Sequence, residues 1–201
     1  MSVPTGFTLL LGGARSGKSA LAVMLGHAWP GAVTFVATAR LTGHDTDLAA
    51  RVARHRNDRP THWTTIEPVG DLVGDLVGAA AAAPEDSLVI VDCITLWVAA
   101  ALDDEITDAL DDACIGPIDA DRHRIEHTAG ALANVLASRS APSVVVSNEV
   151  GLGVHPETSI GLVFRDTLGR VNGILAARAS RTLFLAAGRA VRLEDPWALL
   201  R

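Results

Sequence analysis

Gly12-Gly13-Ala14-Arg15-Ser16-Gly17-Lys18-Ser19 places three glycines, an ammonium and two hydroxyls within eight residues. The apolar run Phe7 to Leu11 precedes this string, and an apolar stretch from Lys18 to Ala28 follows it, so it falls where a strand would turn into a helix. Glycines let such a loop fold back until its backbone N–H groups point inward, and the helix behind it adds about half a positive charge at its N-terminus. The spacing fits G-x-x-x-x-G-K-S/T, a phosphate cradle of the P-loop kind. Gly12, Gly13, Ala14, Arg15, Ser16, Gly17, Lys18 and Ser19 are therefore expected to wrap a nucleoside triphosphate, Lys18 bridging its outer phosphates and Ser19 ligating Mg²⁺. Composition sharpens the assignment. Of 17 basic residues 16 are arginine, and Lys18 is the single lysine. The position that kept a compact ammonium needs a point charge and not a planar fork.

A cradle of this kind needs a carboxylate at the end of a buried strand to place the metal. Leu88-Val89-Ile90-Val91-Asp92 supplies one, because an aspartate behind four apolar residues must meet a cation or hydrogen-bond donors. Asp92 reads as a Mg²⁺ or nucleotide ligand, with an N-cap for the segment starting at Ile94 as the alternative. A second chemical signal lies between Leu48 and Trp63. Helical spacing puts Leu48, Val52 and His55 on one face, with Arg51, Arg54, Arg56 and Arg59 around them. On composition alone His55 could be a histidine at the edge of the core. Four arginines within nine residues of a chain with net charge -6 suggest an anionic ligand instead. A neutral imidazole among guanidiniums suits a nucleophile toward phosphorus.

The elements that would hold these groups alternate, as in a parallel sheet covered on both faces. Strands are expected at Phe7–Leu11, Val33–Ala37, Leu88–Val91, Val144–Ser147, Thr182–Leu185 and Ala190–Leu193. Helices are expected at Lys18–Ala28, Asp45–Arg56, Leu72–Ala82, Ile94–Leu102, Arg122–Ser138 and Ile160–Arg178. Arg56–Pro60 reads as a polar turn and Asp103–Asp121 as an acidic loop. The fold expected is α/β, a three-layer sandwich of the P-loop NTPase type with a mostly parallel sheet. One nucleotide-binding domain spans 1–201, with a helix-loop excursion at about 44–67. With 201 residues, 49% of them hydrophobic, a sizeable core is within reach and disorder is excluded as the main state. Only 4% aromatic residues and net negative charge argue against nucleic acid. The longest apolar run, Leu88–Leu102, is broken by Asp92 and Thr95, so no membrane span is expected. Two cysteines, Cys93 and Cys114, and no leader pattern suggest a cytoplasmic protein.

Three weaker signals receive structural readings. His123-Arg124-Ile125-Glu126-His127 matches a zinc-peptidase pattern but lacks a third ligand, and an exposed helix face explains it. Asn148-Glu149 lies at the sheet edge where open α/β folds bind ligands, with Glu149 either steadying a ligand or capping a turn. Arg165, Asp166 and Arg170 read as a buried ion-pair set.

Taken in order, Gly12–Ser19, Ala37-Thr38-Ala39, Ala49–Trp63, Asp92-Cys93-Ile94-Thr95, Asn148–Gly151 with Gly153 and Pro156, and Phe164-Arg165-Asp166 with Gly169–Asn172 form a series. This series resembles the bifunctional adenosylcobinamide kinase / adenosylcobinamide-phosphate guanylyltransferase family over nearly the whole chain. The resemblance implies NTP-dependent phosphorylation of adenosylcobinamide, with ATP or GTP as donor. It then implies transfer of GMP from GTP to the resulting phosphate through a guanylylated histidine, which matches His55. Nucleotide contacts carry over to Ala37, Thr38, Ala39, Arg56, Asn57, Asp58, Arg59, Glu67 and Asp92, and the assembly implied is a homotrimer. The chain departs from the family's usual pattern at Arg54, where a second histidine is common, at Arg56–Arg59, and at Asp92, where glutamate is usual. Two other readings remain open at this point, a small-molecule kinase in which His55 is structural and a non-catalytic nucleotide-binding module.

Overall fold

The computed structural model of the chain describes residues 3–39, 50, 52–53, 56, 59–68, 72–106 and 115–200. Among the described residues seven strands form one sheet: β1 (Phe7–Gly12), β2 (Val33–Ala37), β3 (Thr64–Ile66), β4 (Leu88–Asp92), β5 (Ser143–Val146), β6 (Arg181–Ala186) and β7 (Arg189–Leu193). Their order is β3-β2-β4-β5-β1-β6-β7. Every neighbouring pair is parallel except β6 with β7. The helices are α1 (Lys18–Ala28), α2 (Leu72–Ala81), α3 (Ile94–Ile106), α4 (Ile115–Ser138), α5 (Ser159–Arg178) and α6 (Pro196–Leu199).

Strands β1, β2 and β5 are buried along their whole length, which is why their sequences run apolar without alternation. Alternate residues still serve different faces. Leu9, Val91 and Val145 pack into a cluster with Trp97, Leu132, Val171 and Leu175, so α3, α4 and α5 cover that side. Leu10, Ile90, Val144 and Val146 pack on the other side with Ala22 and Trp63. There α1 lies close to the sheet because Gly26 carries no side chain. A Cβ at Gly26 would come within 2.3 Å of the Trp63 ring. Trp63 thus holds the stretch before β3 against the helix that begins in the phosphate cradle.

The expected strands are present, with ends shifted by one or two residues at most strand termini, and so are the expected helices that fall on described residues. Three differences have physical causes. Strand β3 was not expected, since three half-polar residues at a sheet edge carry no apolar signal. The loop expected over Asp103–Asp121 is largely helical where it is described, for α3 runs to Ile106 and α4 starts at Ile115. Pro117 sits in the first turn of α4, where its missing N–H costs no helical bond. The expected ion-pair set on α5 is not buried: Arg165 pairs with its own neighbour Asp166 at 2.8 Å, and Arg170 reaches Glu126 on α4 at 3.6 Å, both at the surface. Most of the expected helix Asp45–Arg56 lies outside the described residues.

Candidate active site

The cradle forms where β1 ends, and its conformation explains its glycines. Gly12 has φ 145°, and a Cβ there would sit 2.2 Å from the Leu185 carbonyl oxygen on β6. Gly17 caps α1 at φ 101°, and Arg15 also takes a left-handed turn at φ 58°. The loop is braced from outside. The Gly188 N–H in the β6–β7 turn donates to the Ser16 carbonyl at 3.0 Å, and the Glu149 N–H donates to the Gly12 carbonyl at 3.0 Å. Ala14 and Arg15 are exposed on its rim, whereas Ser16 and Lys18 are buried.

Lys18 turns back into this loop. Its Nζ donates to the carbonyls of Gly12 (2.9 Å) and Gly13 (2.7 Å) and to Ser16 Oγ (3.3 Å). Burial lowers its pKa from the ordinary value, against the opposing pull of Cys93 and Asp92. One residue on, the Ser19 hydroxyl donates to Asp92 Oδ1 at 3.3 Å. A residue in the first turn of α1 and the one that closes β4 thus meet across 73 positions of sequence, as the motif requires.

Around Asp92 the end of β4 is tied to β2. Ala37 pairs with Asp92 in register. The Thr38 N–H donates to the Asp92 carbonyl at 3.3 Å, and the Thr38 hydroxyl donates to the Cys93 carbonyl at 2.6 Å. Burial pushes the Cys93 thiol up to about 12, and Asp92 adds to the shift. Such a thiol stays protonated and is no nucleophile. The Arg59 guanidinium stacks 4.0 Å over the Phe35 ring. Burial lowers its pKa while Asp92 pulls it back up. Arg56 and Glu67, both exposed, form an ion pair with each other.

The structure therefore brings Gly12, Gly13, Ser16, Lys18, Ser19, Thr38, Asp92 and Arg59 to one end of the sheet. His55, Asn57 and Asp58 lie outside the described residues. Glu149 takes its capping role, accepting from the Gly151 N–H at 2.6 Å. His123 and His127 are exposed, and their partner in the motif, Glu126, faces Arg170.

A buried polar set beside the cradle had no assigned role from sequence. Asn172 on α5 accepts from the Ser147 hydroxyl at 2.7 Å and donates to the Asn148 carbonyl at 2.9 Å. The Thr95 hydroxyl accepts from the Asn148 N–H at 2.7 Å. The available signal was Asn172 itself, a lone carboxamide on the apolar stripe of Leu168, Val171 and Leu175.

A family model for cobinamide kinase / cobinamide phosphate guanyltransferase matches residues 8–193. The chain is 34% identical to the bifunctional adenosylcobalamin biosynthesis protein CobP of Pseudomonas aeruginosa, covering 92% of this chain and 96% of that one. It is 35% identical to the bifunctional adenosylcobalamin biosynthesis protein CobU of Escherichia coli, covering 92% and 98%. Among solved structures, an ATPase from a bacterial type III secretion system shares the fold with a TM-score of 0.53 at 12% identity, over 90% of this chain and 51% of that one. A second, the ATPase EscN of enteropathogenic E. coli, superposes with a TM-score of 0.54 at 12% identity, over 91% of this chain and 43% of that one. The fold is thus that of P-loop ATPases, and with motif, geometry and relatives in agreement, the chain belongs to the cobinamide kinase / cobinamide phosphate guanyltransferase family.

Proposed function

We propose that this chain is a bifunctional enzyme of cobalamin biosynthesis that runs two phosphorus reactions from one nucleotide site. In the first, the aminopropanol hydroxyl of adenosylcobinamide attacks the terminal phosphorus of ATP or GTP, and the nucleoside diphosphate leaves. In the second, the His55 imidazole attacks the α-phosphorus of GTP and expels pyrophosphate. The phosphate of adenosylcobinamide phosphate then displaces the histidine, giving adenosylcobinamide-GDP. The observation that carries the reading is the meeting of Lys18, Ser19 and Asp92 at the ends of β1 and β4, in a chain of this family.

Each described residue has a task in this scheme. Lys18 is poised on two carbonyls at the mouth of the loop, so its ammonium can exchange them for phosphate oxygens. The N–H groups of Gly13 to Ser19 supply the anion nest. Ser19 and Asp92 offer a hydroxyl and a carboxylate oxygen side by side. Such a pair would suit Mg²⁺, which would offset phosphate charge when bound. Arg59, Arg56 and Glu67 flank the same end of the sheet, and with Thr38 they are the nucleotide contacts proposed outside the cradle, together with Ala37, Ala39, Asn57 and Asp58. The working assembly proposed is a homotrimer. The free thiol of Cys93 supports a reducing compartment, the cytoplasm. No helix among the described residues is long and apolar enough to cross a membrane.

The test is incubation with GTP labelled at the α-phosphate, with and without adenosylcobinamide phosphate. Label should stay on the protein as a phosphoramidate, labile in acid and stable in base, and chase onto the corrinoid. Formation should fall as pH drops through the histidine's titration, since only the neutral imidazole has a free lone pair. His55→Ala should take up no label, whereas His62→Ala should label normally. Label mapping to a residue other than His55 would overturn the covalent step.

A further inference from the structure

Asn148 follows β5, the strand that lies between β1, which carries the cradle, and β4, which carries Asp92. Extended geometry continues past the last paired residue, because the Ser147 N–H bonds to the Leu10 carbonyl at 2.9 Å and the Glu149 N–H to the Gly12 carbonyl at 3.0 Å. Side chains alternate along this stretch. Val144 and Val146 pack on the α1 face and Val145 on the opposite face. Ser147 bonds to Asn172 of α5 on that opposite face. Alternation therefore assigns the Asn148 carboxamide to the α1 face, the face on which Asp92 meets Ser19.

The main chain of Asn148 is held with unusual care for a residue outside a strand. Its N–H donates to the buried Thr95 hydroxyl and its carbonyl accepts from the buried Asn172 carboxamide, groups brought in by α3 and α5. Its own carboxamide makes no hydrogen bond to any described residue. A polar group aimed by two dedicated partners, and left unspent by the protein, is the arrangement expected of a preorganised ligand contact. Resting on the two-reaction reading above, we infer that the Asn148 carboxamide donates to the terminal phosphate of the bound nucleoside triphosphate. Thr95 and Asn172 are its positioning residues. The contact exists with a triphosphate and is lost with a diphosphate, so it serves the kinase step and tells substrate nucleotide from product.

Binding of GTP and of GDP, each with Mg²⁺, to the full chain tests this. The parent should bind GTP more tightly than GDP. Asn148→Ala should lose about ten- to a hundredfold in GTP affinity, the usual weight of a hydrogen bond to a charged group, with GDP affinity and melting temperature unchanged. Asn148→Asp, nearly the same shape but repelled by phosphate, should lose more GTP affinity than Asn148→Ala. Thr95→Val should repeat part of the loss and Thr95→Ser should restore it. Equal losses for GTP and GDP, or no loss for either, would overturn the contact while leaving the nucleotide site in place. A parent that binds neither nucleotide would instead bring down the two-reaction reading, and this inference with it.

Discussion

Two buried cations stand at opposite ends of the same sheet, both held by main-chain carbonyls. At the end where the strands finish, Lys18 donates to Gly12 and Gly13. At the end where they start, Arg139 donates to the carbonyls of Ala83, Pro84 and Ser87. Residue type and partners separate their roles. The Arg139 fork spans a single turn, whose Ser87 hydroxyl also bonds to Pro84, and it staples the end of α4 to the entry of β4. Its partners are ordinary loop carbonyls, and of these Pro84 keeps donors from Ser87 without it whereas Ala83 and Ser87 lose the guanidinium as theirs. The Lys18 partners belong to two glycines, and a Cβ on Gly13 would meet nothing within 4 Å. A point charge on a flexible stem can leave its carbonyls for a better anion. A buried positive charge thus marks function here by what it could move to, and architecture by how many groups depend on its staying.

The largest effect that would test this contrast is on Lys18. Lys18→Ala should lower both phosphoryl and guanylyl transfer by about 10²–10³-fold or more, and denaturant unfolding should show no loss of stability because a desolvated cation is gone. Lys18→Arg should fail nearly as badly, and normal rates in that variant would break the comparison. Arg139→Ala should do the reverse. Removing the fork takes a charged donor from the Ala83 and Ser87 carbonyls and should cost about 2–4 kcal/mol in urea unfolding, while GTP affinity of the folded protein holds. A drop in GTP affinity with little loss of stability would show the two ends to be coupled.

The smallest effect lies in alkaline stability, where the functional end titrates. Lys18 has a lowered pKa, so between that value and 10.5 the unfolded chain holds a proton that the native chain has released, and stability rises with pH. Cys93 acts in the opposite sense. Its thiol is raised from 9.0 to about 12, so its contribution is full below pH 9 and is lost as pH climbs toward 12. Lys18→Met should therefore steepen the alkaline decline, and Cys93→Ser should flatten it. Unfolding free energies followed across pH 8 to 11 would separate the two, and parallel profiles for both variants would contradict the opposed burial shifts.

Much of the cradle end could be read in advance because its chemistry is local. Eight consecutive residues encode the loop, and five encode β4 with its terminal carboxylate. The parts that escaped reading depend on distant partners. Thr95, Asn148 and Asn172 come from three elements, and no one-dimensional spacing links them. Arg139 looks like any surface arginine at the end of a helix until the turn before β4 folds over it. Strand β3 is invisible for a different reason, since Thr64-Thr65-Ile66 becomes a strand only by pairing with β2. The acidic stretch after Leu102 carries little apolar periodicity, so the helical turns at its two ends left no signal to read.

The solitary lysine has a practical corollary outside catalysis. Acylating reagents and amine-directed cross-linkers find one ε-amine in this chain, only 5% exposed and held on carbonyl oxygens. Apart from the α-amine, the sequence offers such reagents no other primary amine. By the same token, slow acetylation of Lys18 becomes a footprint of the cradle, in which an occupying phosphate would be read directly as protection of a single peptide.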